Sequence, residues 1–346
     1  MMRCHRFHYA SPPTLREACE RLRDAGGEAM VLAGGTDLVP NMKRRQQVPP
    51  RIISLRRIED LRETAVGDGS VRIGAMTTLA TLTTNPHVRQ RHAALFKAAA
   101  QVATPHLRNM GTLGGNLCLD TRCNYYDQNY EWRKAINFCM KKEGEICWVA
   151  PGSPRCWAVS STDTAPALMA LDAQVQLAGV GGERCLPLSE LYRDDGIEYL
   201  SKRRDEILTR VLLPVAVAGE SSTYWKLRRR GSFDFPVLSV AAWVRRDGCG
   251  TVEAARLVLG SVASRPILSS AAALLIGSSL SEEVIQAVAD EASNLAKPLD
   301  NTDFSLGWRK KSARHLIQGA LRELRGDDPR ELGPIARRAA ELVPVF

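Results

Sequence analysis

The sequence has no apolar run approaching the ~18–20 residues a membrane span requires. It also has no internal repeat and no low-complexity tract. Its first residues, Met1 to Pro13, are polar and lack the apolar stretch of a secretory signal, so the cytoplasm is the expected compartment. Aromatic residues make up only 6% of the chain. They do not interleave with the basic clusters Lys43-Arg44-Arg45, Arg203-Arg204, Arg228-Arg229-Arg230 and Arg309-Lys310-Lys311, and no nucleic-acid motif is present. GxGxxG and Walker A signatures are missing, which excludes the standard Rossmann and P-loop readings. Paired Cys-x₂₋₄-Cys knuckles and compact ferredoxin runs are missing as well.

The chain has 346 residues, 45% hydrophobic and 25% charged, with a net charge of +9. That is an ordinary globular composition, long enough for two or three domains and for a core that needs no disulfides. A basic balance suits an acidic partner, such as an anionic cofactor or an acidic protein.

Apolar spacing predicts a helix over 14–25, bounded by Ser11-Pro12-Pro13 and Gly26-Gly27. Strands follow at Ala29–Leu32, Arg51–Leu55 and Val71–Gly74, and helical stretches at Leu79–Leu82 and around His92–Val102. Between about 119 and 158 the periodicity disappears, and the stretch is rich in Cys, Tyr, Trp, Asn and Lys. Regular pattern resumes with a helix over Asp163–Ala173 and strands at Gln174–Leu177 and Glu206–Pro214. After a linker at 215–222, three strands near 223–230, 236–246 and 252–262 precede helices at Ser281–Ala296 and near 309–324.

Two glycine turns offer binding chemistry. Gly34-Gly35-Thr36-Asp37 follows a strand directly, and its backbone N–H groups can form a nest for an anion such as phosphate. Gly111-Thr112-Leu113-Gly114-Gly115-Asn116 makes the same offer. Together the two could clamp the diphosphate of a dinucleotide from opposite sides.

The nine cysteines are unevenly placed. Cys19 lies on the apolar face of the first helix and reads as core. Five others, Cys118, Cys123, Cys139, Cys147 and Cys156, fall within 39 residues, with gaps of 16, 8 and 9 from Cys123 onward. In a cytosolic chain such crowding points to metal or redox chemistry. The spacing alone leaves an iron–sulfur cluster, zinc and buried free thiols open. Cys118, directly after the glycine turn, reads as a buried small side chain and not a ligand.

Ala33-Gly34-Gly35-Thr36-Asp37-Leu38, Leu107–Leu117, Ser161–Leu168 and Lys226 with Arg228-Arg229 resemble, in order, the FAD-binding subunits of the xanthine oxidase family. That family includes the medium subunits of carbon monoxide dehydrogenase and related molybdenum hydroxylases. The four-cysteine insertion resembles the β subunits of 4-hydroxybenzoyl-CoA reductases. The resemblance implies an α+β architecture. A two-subdomain FAD-binding fold of the vanillyl-alcohol-oxidase/p-cresol-methylhydroxylase type would fill 1–218, as 1–60 and 61–218, with an iron–sulfur insertion at about 119–158. A smaller α/β C-terminal domain of the CO dehydrogenase flavoprotein type would fill 222–346.

The resemblance further implies that Leu32, Ala33, Gly34, Gly35, Thr36, Asp37 and Leu38, with Thr112, Leu113, Gly114, Gly115 and Asn116, hold FAD. Asp163 would contact its adenosine half, Leu208 would pack on adenine, and Lys226 would lie near the isoalloxazine edge. Cys123, Cys139, Cys147 and Cys156 would ligate a 4Fe-4S cluster. The chain itself would carry no acid–base catalytic residue. It would pass electrons between the cluster, FAD and the 2Fe-2S clusters of a small partner. A large molybdopterin subunit would dehydroxylate 4-hydroxybenzoyl-CoA. The implied assembly is a dimer of heterotrimers fed by ferredoxin. Two alternatives stand beside this: the FAD subunit of an aldehyde or purine/N-heterocycle hydroxylase, and a zinc-stapled nucleic-acid-binding or scaffold protein.

Overall fold

The structure is a computed structural model that describes residues 3–67, 69–302 and 304–333. The last stretch expected of the C-terminal domain, 334–346, lies outside the described residues. Among the described residues, no helix is long and apolar enough to cross a membrane.

Three sheets organise the chain. The first has strands β1 (His8–Ala10), β2 (Ala29–Leu32) and β3 (Arg51–Ser54), in the parallel order β1-β3-β2. The helix Leu15–Asp24 packs on this unit through Ala18, Cys19 and Leu22. Thr14 caps that helix by accepting from the Glu17 N–H at 3.2 Å, the arrangement that Thr-x-x-Glu encodes. Cys19 is core, as its helical position predicts.

The second sheet is antiparallel, with β4 (Thr64–Gly67), β5 (Ser70–Gly74), β6 (Gln174–Gly179), β7 (Gly182–Pro187) and β8 (Ile207–Pro214) in the order β4-β5-β8-β6-β7. Its apolar face packs against the helices Leu79–Thr84, Ala93–Ala100 and Thr164–Ala170. The β6–β8 pairing shifts register between Gln176 and Leu177, a bulge of the kind that re-aims side chains beside sites.

The third sheet is antiparallel: β9 (Glu220–Leu227), β10 (Leu238–Arg246), β11 (Val252–Gly260) and β12 (Ile267–Leu268), ordered β12-β11-β10-β9. Both of its faces are buried, and the alternation along β10 shows how. Val240, Ala242 and Val244 join the helices Glu282–Ser293 and Leu306–Arg325 in one core. Ala241 and Trp243 face the core of the second sheet. With both faces covered, the strand reads as a nearly continuous apolar run instead of a polar alternation.

The unpatterned region is a lobe closed at its neck by Arg122 and Val159, which exchange backbone hydrogen bonds at 2.8 and 2.7 Å. Within it, Asn129 caps one short helix, Tyr130–Ala135. The lobe is also tied to the C-terminal domain. The Asn301 side chain donates to the Trp157 carbonyl at 2.8 Å, and the Asn124 N–H donates to the Asn301 carbonyl at 2.9 Å.

Candidate functional site

A cavity of about 390 Å³ opens between the first sheet, the second sheet and the neck of the lobe. That volume lies within the ~300–1,000 Å³ typical of cofactor and ligand sites. The first glycine turn lines it from Ala33 to Leu38, joined by Thr112, Gly114, Gly115, Asn116, Asp163 and Leu208. Three residues of the sequence-based set, Leu32, Leu113 and Lys226, are not among its lining residues.

The two turns meet directly. A Cβ on Gly34 would lie 1.8 Å from the Met110 carbonyl oxygen, so only glycine lets the first turn touch the second. The turns therefore touch side by side in the cavity lining, and do not stand apart on opposite sides.

Their chemistry differs. In the first turn the N–H groups of Gly34, Gly35 and Thr36 have no protein acceptor among the described residues. Gly35 holds φ at +77°, which lets successive amides point the same way. In the second turn the amides of Gly111 and of Leu113 to Asn116 are engaged. Leu113 donates to the Thr77 carbonyl at 2.9 Å, Gly114 to the Ala75 carbonyl at 2.8 Å, and Asn116 to the Thr112 carbonyl at 2.9 Å. Gly115 donates to the Thr112 hydroxyl at 3.1 Å. The expected donor loop at Gly111–Asn116 thus forms a capped one-turn helix over Leu113–Leu117, and of its backbone donors only the Thr112 N–H lacks a protein acceptor among the described residues. Its other contribution is Asn116, whose side-chain oxygen accepts from the Thr162 hydroxyl at 2.8 Å and the Thr164 hydroxyl at 2.6 Å. That bond fixes the start of the helix that carries Asp163.

Lys226 also departs from its expected place. Its ammonium is buried and bonds to Asp163 at 3.0 Å and to the Gln101 carbonyl at 3.0 Å. It stands behind Asp163 and not at the cavity wall. Burial pushes this ammonium below the usual lysine range, and the Asp163 charge opposes that shift. Tyr224 donates to Asp163 as well, at 2.7 Å, so the carboxylate is oriented from two sides.

Sequence reasoning missed Arg122. It ion-pairs with Asp37 of the first turn, lies 3.3 Å from Asp127, and places its guanidinium 4.2 Å from the Phe235 ring centroid. Burial opposes its charge, but Asp37, Asp127 and Asp120 outweigh burial and hold it above the usual arginine range. A single side chain thus joins the lobe, the glycine turn and the C-terminal domain. No sequence signal marks it, because Asp37 and Phe235 lie far away along the chain.

A second, much smaller cavity lies inside the lobe, ringed by Cys123, Cys139, Cys147 and Cys156 together with Tyr126, Lys141 and Trp148. All four cysteines are buried. Cys118 lines the large cavity and stands apart from them. Burial pushes the Cys123 thiol up to about 12 and the Cys156 thiol up to about 11. Backbone amides of Tyr125 and Tyr126 oppose this at Cys123, and the Ala158 N–H donates to the Cys156 sulfur at 3.4 Å. Burial thus favours the neutral thiols, and the amides favour the thiolates. Among the described residues, no three His, Cys, Asp or Glu side chains converge as ligands of a single metal ion.

Comparison with known proteins agrees with this architecture. The family described as "FAD binding domain in molybdopterin dehydrogenase" matches residues 5–216, and the "CO dehydrogenase flavoprotein C-terminal domain" matches residues 222–324. The aldehyde oxidoreductase FAD-binding subunit of Escherichia coli is 32% identical over 324 residues, covering 91% of this chain and 98% of its own. The nicotinate dehydrogenase FAD-subunit of Eubacterium barkeri is 26% identical, with 92% and 94% covered. A chain of the carbon monoxide dehydrogenase of Hydrogenophaga pseudoflava superposes with a TM-score of 0.77 at 28% identity, covering 94% of this chain and 99% of that one. These matches replace the nucleic-acid or scaffold alternative. The chain belongs to the FAD-binding family of molybdopterin dehydrogenases, and is an FAD-binding oxidoreductase subunit of the xanthine oxidase type.

Proposed function

We propose that this chain is the electron-transfer subunit of a molybdenum enzyme complex, carrying a 4Fe-4S cluster in its lobe besides FAD. The observation that supports it is the gathering of Cys123, Cys139, Cys147 and Cys156 around one apolar cavity. Four buried cysteines lining one small cavity supply the thiolate set that a 4Fe-4S core takes. Bound FAD exchanges one or two electrons and an iron–sulfur cluster exchanges one, so the pair links one-electron carriers to two-electron substrate chemistry.

The chain's own residues have holding and tuning roles. Gly34, Gly35 and Thr36 offer free amides to the FAD diphosphate. Asp163, oriented by Tyr224 and Lys226, meets the adenosine half, and Leu208 packs against adenine. The four thiolates hold the cluster. No residue here needs to move a substrate proton, because substrate would react on a large molybdopterin subunit. A small subunit with two 2Fe-2S clusters would complete a heterotrimer, assembled as a dimer.

The substrate we favour is 4-hydroxybenzoyl-CoA, dehydroxylated with electrons from a ferredoxin, and the cysteine lobe is the feature behind that choice. The lobe holds 6 Lys and Arg against 5 Asp and Glu between residues 119 and 158, so the net charge of +9 is not concentrated there. Ferredoxin docking would therefore draw on shape as well as charge. The broader reading, a subunit of an aldehyde or N-heterocycle hydroxylase, draws on the names of the relatives.

Purifying the complex with its partner subunits separates these readings. The iron content should exceed that of two 2Fe-2S clusters by about four atoms per heterotrimer. Cys139→Ser should remove that excess and keep FAD, while Cys118→Ala should keep both. Turnover of 4-hydroxybenzoyl-CoA with a reduced low-potential donor supports the reductase. Turnover confined to aldehydes or N-heterocycles with an oxidising dye supports the hydroxylase.

A further inference from the structure

The two cavities share a buried polar seam. Lys141, two residues beyond Cys139, lines the cysteine cavity, and only 6% of its side chain is exposed. Its ammonium has three hydrogens and three acceptors: Asp120 at 2.8 Å, the Thr121 hydroxyl at 2.6 Å and the Gly196 carbonyl at 2.6 Å. It also lies 4.9 Å from the centroid of the Tyr126 ring and 5.5 Å from that of Tyr199.

Asp120 is held in turn. Its second oxygen accepts from the Tyr126 hydroxyl at 3.0 Å and from Gln47 at 3.0 Å. Asp120, Gln47 and Tyr199 line the large cavity, whereas Lys141 and Tyr126 line the cysteine cavity. The ion pair is therefore directional, with its positive end toward the cysteines and its negative end toward the flavin space.

A lysine serving only to fasten two loops would do as well at the surface, where ammonium groups are well hydrated. Here the ammonium is desolvated, locked by three acceptors, and near enough to Cys156 for its charge to favour that thiolate. Fixed charge in a buried site of low dielectric acts strongly on a nearby redox centre, because no water screens it.

We infer that Lys141 raises the reduction potential of the cluster held by Cys123, Cys139, Cys147 and Cys156, and that Asp120 opposes it from the flavin side. The inference rests on the cluster proposed above. Lys141 acts as a positioning and tuning residue: one electron entering the cluster adds one negative charge, and the fixed ammonium favours that state. The electron comes from an external one-electron donor of low potential and passes on to the flavin.

The test is a redox titration of the intact complex, followed by the electron-spin resonance of its reduced clusters. Lys141→Met should move the lobe cluster to a more negative potential by at least tenfold in its reduction equilibrium, roughly 59 mV for one electron. Lys141→Arg should restore most of that shift. Asp120→Asn should move the potential the opposite way. The 2Fe-2S signals should stay in place and serve as the internal reference. An unmoved lobe potential in Lys141→Met, with iron retained, overturns the inference. If Lys141→Met loses its iron, Asp120→Asn, which keeps the lysine and all four cysteines, decides by the sign of its shift. Loss of iron in both variants overturns tuning in favour of a purely structural pair. A wild-type complex with no iron beyond its 2Fe-2S clusters overturns the cluster itself, an outcome visible before any variant is made.

Discussion

The two glycine turns look alike as sequence and do different work. Ala33–Leu38 and Gly111–Asn116 each join paired glycines to a threonine and a polar residue. In the fold the first turn's Gly34, Gly35 and Thr36 amides have no protein acceptor among the described residues, and the second ties those of Leu113 to Asn116 to Thr77, Ala75 and Thr112. The first turn can receive an anion. The second is a rigid wall that locates the first, and also locates Asp163 through Asn116. A glycine pair signals that backbone must come close to something, and here Gly34 meets the Met110 carbonyl while Gly114 meets the Ala75 backbone.

The largest effect should come from breaking the contact between them. Gly34→Val would drive a Cβ into the Met110 carbonyl, where neither backbone can yield. A loss of about 3 kcal/mol or more, at the top of the overpacking range, should accompany flavin-free protein. Thermal unfolding and bound-flavin absorbance measure both. Wild-type flavin content would mean that the turns can separate.

Gly115→Val should be milder and act by another route. Its Cβ would lie 2.9 Å from the Thr112 hydroxyl, the cap of the short helix, which can give way at some cost. About 1–3 kcal/mol of stability should be lost, with FAD weakened but recoverable at high concentration. If stability is unchanged while FAD is abolished, the second turn touches the diphosphate after all.

Thr112→Ala sharpens the contrast further. Removing a capping hydroxyl typically costs ~1 kcal/mol, and Thr112→Ser should restore it. A lower unfolding temperature with near-normal FAD affinity is expected, read by calorimetry and flavin titration. Thr36→Ala should give the reverse pattern and the smallest change. The unfolding temperature should hold, and FAD binding should weaken about fivefold, the equivalent of ~1 kcal/mol for one hydrogen bond. If Thr36→Ala instead lowers stability and spares FAD, the roles of the two turns are exchanged.

Much of this was legible along the chain. Helix and strand periods located β2, β3, β5, β8 and the two long C-terminal helices. They did so because the 3.6 and 2.0 repeats are local properties of backbone geometry. The loss of periodicity marked the lobe, and the crowding of cysteines marked its chemistry. β1 escaped because three residues span less than two strand repeats, and the helix Tyr130–Ala135 because its six residues make fewer than two turns and lie where the pattern is lost. What the tertiary structure decided was partnership. That Lys226 stands behind Asp163, that the amides of Leu113 and Gly114 are already bonded, and that Arg122 reaches Asp37 and Phe235 all depend on residues tens or more than a hundred positions away. The same holds for the seam between the cavities, where Lys141, Asp120 and Gln47 meet from three separate stretches of chain. A sequence shows which groups can donate, accept or carry charge. Which of them remain free for a ligand depends on hydrogen bonds and burial that exist only once distant segments have packed together.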